Sequence, residues 1–171
     1  MSISMSSASL PVCTTMLSNL QHMLDRAQAF VDNKKCDPTA LTQYRLAPDM
    51  LPFTRQVQIA CDAVKNGVAR ISGVEAPKFE DTETTLAELT SRIEKTLAFL
   101  KTVPADKLDG TETKEITFPV GKDATRTMQG EAYLKHWMLP NLFFHVTMAY
   151  AILRHNGVEL GKKDYLVGAA A

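Results

Sequence analysis

The stretch that decides the fold is YLKHWMLPNLFFHVTMAYAILRHNG, residues 133–157. Its apolar residues recur every three or four positions, which is the spacing of one face of an α-helix. We therefore expect a long helix over Glu131–Asn156, interrupted near Pro140 because proline removes one backbone hydrogen bond. The predicted inward stripe consists of Leu134, Met138, Asn141, His145, Met148 and Ile152.

Two polar residues, Asn141 and His145, lie in the middle of this stripe, four positions apart on one side of the helix. Burying either group without a partner costs roughly 1–3 kcal/mol. We expect the partners to come from a second helix, where Gln56 and Gln58 flank the apolar stripe on opposite sides and Asp62 lies near Gln58. Two interpretations remain open, a structural polar network or a metal-binding or catalytic site. One imidazole with carboxamides is a poor site for zinc or nickel.

Three further segments have the helical spacing. The first runs from about Leu10 to Asn33, with Pro11 in its opening turn, and the second from about Asp49 to Gly73. The third runs from Thr85 to Pro104 and begins with a capping box, since Glu88 follows Thr85 by three positions.

Between the last two helices the apolar period changes from about 3.6 to 2. Ile116, Phe118 and Val120 alternate with polar neighbours, Gly121, Lys122 and Asp123 supply a turn, and Ala124–Met128 return, which predicts a small β-hairpin. The long loops at Lys34–Pro48 and Gly73–Asp81 indicate a connection that crosses the end of the bundle. The predicted fold is all-α, a four-helix bundle with a crossover connection and one hairpin, in a single domain over residues 1–171.

Composition narrows the function classes. Nineteen Lys and Arg balance nineteen Asp and Glu, so we expect no nucleic-acid partner, and no apolar run approaches the ~18 residues of a membrane span. The cysteines Cys13, Cys36 and Cys61 are odd in number and fit no disulfide framework. With no signal-peptide pattern at the N-terminus, we expect a cytoplasmic protein. The sequence contains no phosphate loop and no dinucleotide fingerprint.

Four motifs resemble the DinB/YfiT-like superfamily, and within it a bacterial and fungal subfamily catalogued as a domain of unknown function. They are HVTMAYAILRHNGV at 145–158, RLAPDMLPFTRQVQIA at 45–60, EDTETT at 80–85 and LPN at 139–141. The resemblance covers nearly the whole chain. It implies a four-helix bundle, frequently a homodimer, whose metal-binding members use one histidine from the second helix and two, four apart, from the fourth.

Carried over by position, this ligand set is degenerate here. His145 matches the last histidine, Asn141 stands four positions before it, and the second-helix position falls at Gln58 or Gln56. We therefore expect no cofactor. The alternative is a single divalent metal, Ni, Zn or Fe, held by His145, Asn141 and Gln58.

The leading functional hypothesis is a cytoplasmic homodimer with a degenerate metal site that binds a small molecule or serves a structural role, with no nucleic-acid or membrane partner. The alternative is a metal-dependent thiol S-transferase or isomerase. The homodimer has support from the sequence as well, because Phe143 lies nearly opposite His145 on the helix, outside the inner stripe.

Overall fold

The structure, a computed structural model, describes residues 3–170 and is mostly helical with one small antiparallel sheet. The chain order is α1 (Met5–Lys34), α2 (Pro38–Gln43), α3 (Phe53–Ser72), α4 (Leu86–Thr102), β1 (Glu115–Val120), β2 (Ala124–Gln129), α5 (Gly130–Tyr133), a π-helical segment (Leu134–Met138), α6 (Leu139–His155) and α7 (Lys162–Leu166). Short 3₁₀ turns lie at Ala105–Lys107 and Gly168–Ala170. The predicted helical character and the hairpin are confirmed.

Helix α1 begins at Met5, five residues before the predicted start. Ser4 is its N-cap, and a capping box joins the side chains and backbones of Ser4 and Ser7. Pro11 therefore lies inside the helix, in its second turn, and the prediction of an opening-turn proline was wrong. The polar N-terminal residues obscured the start because their role is capping rather than core packing.

Local signals located the C-terminal end of α3 and both ends of α4, but the predicted start of α3 near Asp49 was wrong, because α3 begins at Phe53 and Pro52 is its N-cap. Gly73 has a φ of +77° and ends α3 in the left-handed conformation that glycine adopts without strain. Thr85 caps α4, and its hydroxyl accepts from the Glu88 N–H while the Glu88 carboxylate accepts from the Thr85 N–H. The short helices α2 and α7 were not predicted, and α2 lies within the expected loop 34–48.

The predicted last helix is broken by the π segment. The Leu139 N–H bonds to the Leu134 carbonyl, five residues back, and Pro140 has no N–H to donate. The wider turn shifts the helical phase by about one residue. The buried face of α6 is consequently Leu142, His145, Val146, Ala149, Ile152 and Leu153. Asn141 and Met148, both predicted to face inward, are only half-buried.

The four long helices pack pairwise. Helix α3 packs against α4 and α6, and α1 packs against the same two helices. The hairpin covers the π segment, because the buried ring of Phe118 lies 4.8 Å from the Tyr133 ring and 4.9 Å from the Trp137 ring. Among residues 3–170, no helix is long and apolar enough to cross a membrane.

Candidate functional site

His145 is the buried imidazole of α6, and its partner is Gln56 of α3. Nδ1 of His145 lies 2.8 Å from Oε1 of Gln56, while Nε2 of Gln56 donates to the Leu51 carbonyl at 3.0 Å. Because the Leu51 carbonyl only accepts, it orients the amide with Oε1 toward the imidazole, and Nδ1 must carry the proton. Burial lowers the pKa of His145 to about 4. The ring is therefore neutral at pH 7 and donates to an uncharged amide.

Asn141 forms no hydrogen bond with His145 in the described part of the chain. Its Nδ2 donates to the Trp137 carbonyl of the preceding turn at 2.7 Å, and its side chain is half-buried between α3 and the π segment. Asn141 lies at the edge of the buried face of α6, which runs along Leu142, Val146 and Ala149. The structure thus pairs His145 with Gln56 and Asn141 with the backbone of its own helix.

Gln58 lies on the other side of α3, facing α4. Its Oε1 accepts from Nη1 of Arg55 at 2.7 Å, and its Nε2 donates to Oε2 of Glu83 at 2.8 Å. Residues that are two positions apart on a helix point in directions about 200° apart, so Gln56 and Gln58 cannot serve the same site. The choice between these two glutamines is settled in favour of Gln56 as the partner of His145.

Gln58 lies next to a buried charge cluster around Arg92, whose side chain is 1% exposed. Nη2 of Arg92 lies 3.0 Å from carboxylate oxygens of both Asp62 and Asp81, and Nη1 lies 3.0 Å from Oε1 of Glu83. Nη1 also donates to the Glu80 carbonyl at 3.0 Å. One guanidinium therefore joins α4, α3 and the loop between them.

Sequence reasoning missed Arg92, although a signal was present. The residue follows Leu89 by three positions and precedes Ile93 by one, so it lies on the buried stripe of α4. A cation at such a position needs several carboxylates, and the acidic run 80–83 supplies two of them.

A cavity of about 160 Å³ lies between α3 and the π segment. Trp137 of the π segment forms part of the cavity wall, and so does Tyr133, which precedes the π segment. Nη1 of Arg70 donates to the Tyr133 hydroxyl at 3.0 Å. The polar side chains of the wall are those of Asp62, Asn66, Arg70, Tyr133 and Asn141.

The thiols do not form a nucleophilic site. Cys13 and Cys61 are fully buried, and desolvation raises the pKa of each to about 12. Both are protonated at pH 7 and pack as small apolar residues. Cys36 is exposed in the turn after α1.

Comparison with known proteins places this architecture in a family. A family profile described as Domain of unknown function (DUF1993) matches residues 5–166. The chain belongs to this family. The crystal structure of a DinB family member protein from Shewanella denitrificans is 44% identical in sequence and superposes on this DUF1993 chain with a TM-score of 0.87, covering 94% of this chain and 90% of that one. No curated protein sequence matches the chain significantly.

The residues of this DUF1993 chain do not fit a metal centre at the positions that match the histidines of metal-binding relatives. His145 donates to Gln56, Asn141 bonds to the carbonyl of Trp137, and Gln58 faces the opposite side of α3. The three side chains do not converge. Within residues 3–170, no group of three His, Cys, Asp or Glu side chains is placed to hold a metal ion.

Proposed function

We propose that this DUF1993 domain binds a small molecule in the cavity beside Asn141 and does not use the metal centre of its histidine-rich relatives. The observation that carries the proposal is the position of Asn141. It occupies the place of a relative's ligand, yet it lines a polar cavity and does not meet His145. In this proposal His145 and Gln56 hold α6 in register on α3.

The packing supports a finer description of the fold, a four-helix bundle with crossover connections. Helices α1 and α3 each lie between α4 and α6, so consecutive long helices α1 and α3 occupy diagonal positions. The connection between them must cross the end of the bundle, as the long loop in the sequence led us to expect.

Metal analysis of protein purified without a polyhistidine tag tests the proposed function. We expect substoichiometric nickel, zinc and iron, and an unchanged melting temperature after chelation, because stabilisation by a ligand vanishes when none is bound. The variant His145→Ala should lose stability equally with and without chelator. His136→Ala is the matched control, since His136 is exposed in the same helical stretch.

One result would contradict the proposal. It is a stoichiometric metal whose removal lowers the melting temperature by several degrees and whose return restores that temperature. This effect would be lost in His145→Ala but kept in His136→Ala. That outcome would favour the metal-dependent thiol S-transferase or isomerase, with His145 as a ligand.

We also propose that the chain forms a homodimer through the outer face of α6. Phe143 and Phe144 are adjacent there and are 37% and 52% exposed, and exposed aromatic pairs are typical of interaction surfaces. Light scattering at micromolar concentration should give twice the 18.9 kDa chain mass. Phe144→Ser should shift the mass toward the monomer, and a monomeric wild type would refute the dimer.

We propose a cytoplasmic location because the cysteines form no disulfide bonds. All three cysteines are free, and Cys36 is exposed, which suits a reducing compartment. Fractionation of the source cells tests this location.

A further inference from the structure

We infer that the cavity between α3 and the π segment binds a small carboxylate, with Arg70 pairing the carboxylate group and Asn66 and Asn141 binding a polar substituent next to it. This inference rests on the proposed function, because it names the chemical class of the small molecule in that cavity.

Arg70 is a positioned cation without a counterion. Nη1 donates to the Tyr133 hydroxyl at 3.0 Å, and the guanidinium carbon lies 6.0 Å from the centre of the Phe118 ring. Among residues 3–170 no carboxylate lies within 4 Å of this guanidinium, whereas Arg92 on the neighbouring helix α4 contacts three. The remaining N–H groups of Arg70 are therefore free to bind an anion.

The neighbouring charges leave the cavity net positive. Asp62 belongs to the wall, but its Oδ1 lies 3.0 Å from Arg92 and 3.2 Å from Nζ of Lys65, so its charge is compensated. Beyond Arg70, the ammonium of Lys114 donates to the Arg70 and Ile71 carbonyls at 3.2 and 2.9 Å. A ligand with a single negative charge at the Arg70 end matches this field.

Two amides supply hydrogen-bonding groups beside Arg70. The side chain of Asn66 has no hydrogen-bond partner in the described part of the chain, and Asn141 uses only one N–H, on the Trp137 carbonyl. Asn66 precedes Arg70 by four positions, about 6 Å along the helix axis. Residues four positions apart lie on the same side of a helix, so both side chains reach the same cavity.

The size of the cavity limits the ligand to a few carbon atoms. Its 160 Å³ is about half of the roughly 300 Å³ at the lower end of drug-sized sites. A planar carboxylate also matches the fork of one guanidinium. A phosphate dianion would need a second cation, and Arg70 is the only cation among the described residues that line the cavity, so the structure favours the carboxylate.

Trp137 makes binding directly measurable. It is the single tryptophan of the chain and lies in the cavity wall. Its fluorescence and its indole N–H resonance should shift saturably when glycolate is titrated at constant ionic strength. Acetate should bind more weakly because it lacks the hydroxyl, and neutral glycolamide should not bind.

Three variants test the roles of Arg70 and Asn66 in binding separately. Arg70→Gln should weaken glycolate binding by about tenfold or more, the typical effect of losing a charged hydrogen-bond partner. Asn66→Ala breaks no hydrogen bond of the described fold and should weaken glycolate severalfold while leaving acetate unchanged. Arg126→Gln is the matched control, because Arg126 lies 5.9 Å from the Trp137 ring without lining the cavity, and it should retain binding within about twofold.

The inference is overturned if neither Trp137 signal saturates by about 100 mM glycolate, if glycolamide binds equally, or if Arg126→Gln loses as much affinity as Arg70→Gln. Tighter binding of inorganic phosphate than of glycolate would overturn the carboxylate assignment. A metal-free protein that binds no carboxylate contradicts this inference alone, whereas a stoichiometric metal contradicts the proposed function.

Discussion

Replacing Arg92 by methionine tests how much the buried charge cluster contributes to the fold. Methionine keeps most of the side-chain volume and removes only the cation and its hydrogen bonds. Arg92 is 1% exposed and bonds to three carboxylates and to the Glu80 carbonyl. Without Arg92, the carboxylates of Asp62, Asp81 and Glu83 lose a cation but stay close together in the folded chain.

The expected cost follows from what each carboxylate retains. Removing one partner of a buried ion pair costs about 3–5 kcal/mol. Asp62 is 31% exposed and keeps Lys65, and Asp81 is 41% exposed and keeps Arg55. Glu83 is only 12% exposed and keeps the amide of Gln58. Because two carboxylates can be hydrated and one cannot, we expect the lower end of the range, about 3 kcal/mol.

Urea unfolding at neutral pH, followed by circular dichroism, measures this difference. Lys95→Met is the matched control, since Lys95 lies three positions along α4, is exposed and forms no ion pair among the described residues. It should change the free energy of unfolding by no more than about 0.5 kcal/mol. Adding Glu83→Gln to Arg92→Met should recover stability, because it removes the charge that lost its partner.

The pH dependence provides an independent check. Acid protonates the carboxylates left without a cation, so the difference between wild type and Arg92→Met should shrink as the pH falls from 7 toward 4. A cost below about 1 kcal/mol, in the range of exposed ion pairs, would refute the reasoning. So would a double variant less stable than Arg92→Met.

Two further predictions concern His145 and Gly130. The folded pKa of His145 is about 4 against an ordinary 6.5, so the unfolded chain takes up the proton first as the pH falls. Stability should therefore be lost between pH 6.5 and 4. Urea titrations should find about 3 kcal/mol more loss in wild type than in His145→Gln, with His136→Gln like wild type; equal losses would contradict the buried neutral imidazole. A Cβ on Gly130 would overlap the Thr111 carbonyl oxygen, a backbone atom that cannot move aside, so Gly130→Ala should lower the free energy of unfolding by about 1–3 kcal/mol. Gly161→Ala, where the nearest atom is 3.9 Å away, is its control, and equal thermal stability of the two variants would refute the overlap.

Features that depend on near neighbours in the chain were predictable. Gly73 ends α3, and Thr85 with Glu88 begins α4, because caps are hydrogen bonds between residues a few positions apart. The hairpin follows from the alternation over Ile116–Val120 and from the turn residues Gly121, Lys122 and Asp123. Family membership was predictable as well, since the motifs that carry it are contiguous in the sequence.

The candidate site was only partly predictable. His145 is buried against Gln56, but Asn141 lies at the edge of the buried face of α6 and bonds to the Trp137 carbonyl. Proline predicts an interruption, yet the form of the interruption depends on the hairpin and α3, which pack on the wide turn.

The sequence by itself determined the helical pattern, the caps, the hairpin and the inward position of His145, because periodicity and capping are local properties of the chain. Only the tertiary structure decided which groups meet. Arg92 binds carboxylates up to 30 positions away, and the cavity joins Arg70 to Asn141 across 71 positions. Hydrogen bonds and ion pairs act over a few ångströms in space, and a helix rotation of about 100° per residue is enough to exchange one partner for another.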